Sequence, residues 1–245
     1  MTTTDEILDL AAFAGRPGSA AGASAGTGSI DSAVEVTEAD LAAFRQAAAR
    51  GAGSDVVRAL RAVRPGPPSA VSASAPSGGP AWTAWLTASA AAASEAIANP
   101  VHTAWLAVFA VGTALSGPPE SLPAGVTVPA AIAAGMSAAA IVESGLADWG
   151  GWSPGSVAAA IGASVTAGLL LGLTRSQLRA ALGICATQAA GLRSAGATDA
   201  FALQVGKAAF NGVEAAQLAR SGFTAPEEPL DGRRGLFALF GGVYL

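Results

Sequence analysis

Three long stretches of this chain carry no charged side chain. They lie between Glu95 and Glu120, between Glu120 and Glu143, and between Asp148 and Arg175. Each is long enough to cross a bilayer. Each is nevertheless built from Ala, Gly, Ser and Pro rather than Leu and Ile, and Pro100, Pro118, Pro119, Pro123, Pro129 and Pro154 interrupt them. No Lys/Arg asymmetry or aromatic belt flanks them. They read as helices buried against one another in a protein that does not enter a membrane. Small side chains let helix axes approach toward the short end of the usual 8–10 Å range. With aromatics at 6% and charged residues at 12%, and few β-branched runs of strand length, the expected fold class is all-α, a helical bundle.

The same composition excludes several functions. Net charge is −4 and no basic patch appears, which argues against nucleic acid as a partner. Cys185 is the single cysteine and His102 the single histidine, which excludes an internal disulfide and argues against a Cys/His zinc site. The Gly-rich segments lack the strand-then-helix setting of a phosphate loop, and no cofactor is implied. The N-terminus starts with Asp5, Glu6 and Asp9 instead of a basic n-region, so a cytoplasmic protein is expected.

Residues 15–29 (GRPGSAAGASAGTGS) are small and of low complexity. The expectation is a flexible segment over 1–35 and a helical domain over 36–245. Thr37 and Asp40 form a capping-box pattern that starts a helix running to about Arg50. A second helix follows Ser54, with Val56, Val57, Leu60 and Val63 on one face. After a breaker-rich loop over 65–80, helix returns over about 81–98. Asn99-Pro100 reads as N-cap and N1 of the next helix, which carries His102, Trp105, Leu106 and Phe109 on one face. Further helices are expected over about 126–146, from Pro154 to about Gly172, from Thr174 to about Ala190, over 199–220 and over 236–240.

The strings GWSPGS, TRSQLRAALGICATQAAGLRS, GKAAFNG and DGRRGLFALF, in this order and spacing, resemble the helical core of the MmgE/PrpD family, the group of 2-methylcitrate dehydratase and cis-aconitate decarboxylase. Weaker likeness extends back through VHTAWLAVFAVGTA and GPPSAVSASAPSGGPAWTAWLTASAAA to about Ser54. The resemblance implies a dimer-forming helical domain, here ending at Leu245, near where the family begins a lid domain. It also implies an active site built from aspartates, histidines and lysines. Those acids would fall near 96–99, where only Glu95 is close. The histidine after the family's Gly-Trp is Ser153 here, and the basic residues before its Gly-Arg/Lys-Ala-Ala helix fall near Phe201 and Gln204.

With those charges gone, a tricarboxylate would find little to pair with, and burying it would cost several kcal/mol or more. An apolar small molecule, polyketide-like in character, fits better. The expected reaction is that of a lyase, dehydratase or cyclase. His102 would be the acid/base group: with Asn99 as N-cap it sits at N3, where the helix dipole favours a neutral imidazole. Otherwise it is a core histidine with one hydrogen bond. Asn99, Trp105, Trp152, Ser153, Phe201, Gln204 and Lys207 are the expected substrate contacts, in a pocket between the Pro100 and Pro154 helices. Trp149 and Trp152 could line its mouth or serve as packing anchors. Arg193 and Asp199 read as structural or surface residues, and Cys185 as a small buried one. The other functional reading is a non-catalytic subunit, pairing with a homologue, or a small-molecule binding protein on the same fold. A homodimer or heteromer is expected in either case.

Overall fold

The computed structural model describes residues 1–14, 34–63, 79–94, 102–146 and 151–240. Among them are ten α-helices: α1 (Thr3–Ala14), α2 (Glu38–Gly51), α3 (Asp55–Val63), α4 (Gly79–Ser94), α5 (His102–Leu115), α6 (Val128–Gly145), α7 (Pro154–Leu170), α8 (Arg175–Ala186), α9 (Asp199–Arg220) and α10 (Leu236–Leu239). The described residues contain no β-strand, only an isolated antiparallel bridge between Trp152 and Leu192. The all-α expectation holds.

Local chemistry accounts for several helix ends. Thr37 accepts from the Asp40 N–H while Asp40 reaches back to the Thr37 N–H, and Thr174 and Gln177 make the same reciprocal pair. α7 closes on Gly172 at φ +68, with Leu173 N–H donating to Gly168 O and Gly172 N–H to Leu169 O. That is the Schellman pattern, which needs a residue tolerant of positive φ. α8 stops at Ala186, short of the expected Ala190. The residues beyond it turn away, because Gln188 O accepts from Asn211 on α9 and Leu192 is drawn into the bridge with Trp152.

α7 is the axis of the bundle. All of its residues are buried except Pro154 and Leu169. Pairs of contacts along each neighbour set how it runs. Thr166 Oγ1 donates to Ala131 O of α6 at 3.1 Å, and a Cβ on Gly135 of α6 would stand 2.6 Å from Gly162 O, so α6 is antiparallel to α7. Val108 of α5 packs on both of those glycines, while a Cβ on Gly112 would meet Ile132, so α5 is antiparallel to α6 and parallel to α7. Gln204 bonds Ser156 near the start of α7, and Gly212 lies against Ala163 two turns on, so α9 also runs parallel to α7. α8 is antiparallel, with Cys185 Sγ donating to Ala160 O at 3.0 Å and Leu178 beside Gly168. α4 packs on α9 with Trp85 beside Phe210, and α2 packs on α4.

The N-terminus departs from expectation. Residues 3–14 form a helix, with Ile7 0% and Leu8 1% exposed. α1 packs on α6 and α8. Its first turn is capped from a distance: the Asp231 carboxylate accepts from Thr3 N–H, Thr4 N–H and Thr4 Oγ1, each at 2.9 Å. Arg179 donates to Asp5 and Arg175 to Asp9, both at 2.6 Å. A helix of this length is marginal alone. These remote partners hold it, so residues 3–14 are helical where a flexible segment was expected, and residues 15–33 lie outside the described ones.

Candidate functional site

The parallel course of α5, α7 and α9 brings three helix N-termini to one end of the bundle. α5 begins there at His102, α7 at Ser153-Pro154, and α9 with Phe201 and Gln204 in its first two turns. α4 runs against α9, so Ser94 at its C-terminus reaches the same end. Aligned peptide dipoles leave partial positive charge at each N-terminus. No acidic residue lies in the first turn of α5 or α7, whereas Asp199 opens α9.

A chain of neutral polar groups crosses this end. Ser153 is the N-cap residue of α7, yet its side chain makes no capping hydrogen bond. Its Oγ accepts instead from Ser156 Oγ at 3.1 Å. Ser156 Oγ accepts from Gln204 Nε2 at 2.7 Å, and Gln204 Oε1 accepts from Leu192 N–H at 2.9 Å. Gln204 therefore spends both ends of its amide tying α7, α9 and the segment after α8 together. The backbone completes the tie: Ser153 N–H donates to Gly191 O and Arg193 N–H to Gly151 O. Arg193 Nε donates to Trp152 O at 2.9 Å, so its guanidinium braces the turn before α7.

The remaining expected contacts divide. Phe201 is buried near the start of α9. The Trp152 ring meets Phe240 edge-on, centroids 5.3 Å apart, and remains 38% exposed. Trp105 belongs to an aromatic cluster with Phe109, 4.8 Å away, and Phe44 of α2 at 5.8 Å. Lys207 lies one turn beyond Gln204, its ammonium 4.2 Å from the Phe210 ring centroid and 5.0 Å from that of Trp85. Ser153 and Gln204 are joined through Ser156, while Trp105 and Lys207 sit in aromatic clusters centred on other helix pairs. The His102 side chain, Asn99 and Trp149 lie outside the described residues. Cys185 is buried and its thiol is pushed up to about 12 by burial, against a hydrogen bond from Ser164 that lowers it.

Sequence reasoning missed Ser156. Its signal was present: a second serine three residues after Ser153 falls on the same helix face. It also missed Trp85 and Phe210 around Lys207, because partners on separate helices leave no local pattern.

The sequence profile of the MmgE/PrpD N-terminal domain matches residues 47–243. The chain belongs to the MmgE/PrpD family. No curated protein matches it. The matched span includes the starts of α5, α7 and α9. Among the described residues one helix, Val128–Gly145, is long and apolar enough to span a bilayer. In the bundle it packs on α1, α5 and α7.

Proposed function

We propose that this MmgE/PrpD chain acts on an apolar, polyketide-like small molecule at the end of the bundle where α5, α7 and α9 begin. The reaction is an elimination or cyclisation of lyase, dehydratase or cyclase type, with His102 as acid/base. The observation that carries this reading is the parallel course of the three helices. It brings to one end the start of α5 at residue 102, Ser153, Phe201 and Gln204, which are far apart in sequence. The hydrogen-bonded side chains that join α7 and α9 there are neutral serines and an amide, beside the rings of Phe201 and Trp152, and the Arg193 guanidinium is engaged by the Trp152 carbonyl, which suits orienting an uncharged ligand. The dipoles of α5 and α7 favour negative charge developing next to a carbonyl when a proton is abstracted. The protein would work in the cytoplasm without a cofactor.

The test is to incubate purified protein with a small-molecule extract of its host and follow masses. An apolar component should lose water or convert to an isomer. His102→Ala should slow that conversion by about 10²–10⁴-fold, the range for a positioned acid/base group. Conversion by the variant at the wild-type rate refutes the role of His102. Millimolar citrate should leave the melting temperature unchanged.

A second reading draws on the surface beside this end. Trp152, Leu192 at 52% and Leu239 at 69% exposure form apolar area around the Trp152–Leu192 bridge and α10. A non-catalytic subunit would bury such area against a second copy or a homologue. Light scattering at micromolar concentration separates the cases, since a monomer that turns over substrate excludes this reading.

A further inference from the structure

The Ser153 and Ser156 hydroxyls and the Gln204 amide bring four donors to the start of α7, and the described residues use two of them; besides the second N–H of the half-buried Gln204 amide, one serine hydroxyl proton is left over. Gln204 Nε2 donates to Ser156 Oγ, and Ser156 Oγ donates to Ser153 Oγ. The Ser153 O–H then has no acceptor among the described residues. Reversing the bond between the serines would only move the surplus proton to Ser156, which is 0% exposed, whereas Ser153 is 6% exposed. A buried hydroxyl proton without an acceptor is costly. It belongs on the serine nearer the surface, which also forgoes its ordinary task of capping α7.

From this we infer that Ser153 is a ligand-orienting donor, aimed at the acceptor oxygen of an uncharged ligand, a ketone or ester carbonyl. Ser156 and Gln204 are positioning residues that polarise it. The inference rests on the reading that an apolar small molecule binds at this end of the bundle. Hydrogen bonds in a directed series strengthen one another. Gln204 is itself oriented by Leu192 N–H at 2.9 Å, so the series has a fixed origin in the backbone. Every group in it is neutral. The series itself therefore offers one directed donor and no ionic partner, which suits a carbonyl better than a carboxylate.

Three fluorescent naphthalenes test this with the intact chain: 6-propionyl-2-(dimethylamino)naphthalene, the same ring without the ketone, and the same ring with a carboxylate. The ketone should bind most tightly, with the red-shifted emission that marks a hydrogen-bonded carbonyl. Ser153→Ala should weaken the ketone about three- to tenfold, the worth of one neutral hydrogen bond, and shift its emission to the blue. Its affinity for the ring without the ketone should not change. Ser156→Ala and Gln204→Leu should produce the same selective loss, smaller in size. Equal loss for both neutral probes means that Ser153 only shapes the fold, and overturns the inference. No loss for either probe overturns it too, while leaving the apolar site standing. Tighter binding of the carboxylate overturns the uncharged-ligand assignment. Failure of wild-type protein to bind any of the three overturns the apolar-site reading together with the inference.

Discussion

Replacing Gly212 with alanine puts a methyl group where α7 already stands. The new Cβ would be 2.5 Å from Ala163 Cβ, 2.6 Å from Ala163 C and 2.7 Å from Ser164 N. Carbon contacts are optimal near 3.5–4.0 Å, so α9 must retreat by about 1 Å. Two of the three obstacles are backbone atoms of α7, and that helix is walled by α5, α6, α8 and α9, so it cannot yield. The retreat would loosen Val205, Ala209, Val213 and Ala216, all buried on α9. Overpacking of this kind costs about 3 kcal/mol. Helix propensity returns about 1 kcal/mol, because alanine is the better helix former. The net loss is about 2 kcal/mol, or roughly 4–8 °C in melting temperature for a domain of this size. Far-UV circular dichroism melts of Gly212→Ala against wild type measure it. Gly53→Ala is the control, since nothing lies within 4 Å of its Cβ, and it should stay within about 0.5 kcal/mol of wild type. A Gly212→Ala protein as stable as wild type, or more so, would show that helix propensity outweighs packing here and would refute the close α7–α9 approach.

Cys185 should resist thiol reagents in the native protein. With its thiol at about 12, only about one molecule in ten thousand is thiolate at pH 8, and labelling should follow unfolding; rapid stoichiometric reaction before unfolding would contradict this. α1 should be the first helix released by acid. The Arg179 hydrogen bond holds Asp5 below the ordinary carboxylate range, and at Asp231 hydrogen bonds from Thr3 and Thr4 outweigh the upward push of burial. A carboxylate lowered in the folded state contributes stability above its unfolded value and loses it as pH falls through the folded one. Amide exchange over residues 3–14 should therefore accelerate as pH drops below about 4, once the intrinsic pH dependence of exchange is divided out, while α7 stays protected. Asp231→Ala should cost α1 about 1–2 kcal/mol, as loss of a cap does, with the same local exchange signature at neutral pH; unchanged exchange in α1 would refute the capping role.

What the sequence determined by itself is local. Thr37 with Asp40 and Thr174 with Gln177 mark helix starts, because capping joins residues within one turn of each other, and Pro154 marks another through its fixed φ at the first helical position rather than through a side-chain cap. The bundle class was legible for a similar reason, since a composition rich in Ala and Gly with few β-branched runs disfavours sheet wherever it occurs. Only the tertiary structure decided α1, whose partners Arg175, Arg179 and Asp231 are more than 160 residues away in sequence. Only it showed the hydrogen bonds of Gln204, named from sequence as a ligand contact, to Ser156 and Leu192. It placed Trp105 against Phe44 of another helix. It also set the direction in which α5, α7 and α9 run, and hence which residues share one end. A cap is a pairing across one turn, whereas a site is a pairing across the bundle, and such contacts depend on how helices cross, which no window of sequence contains.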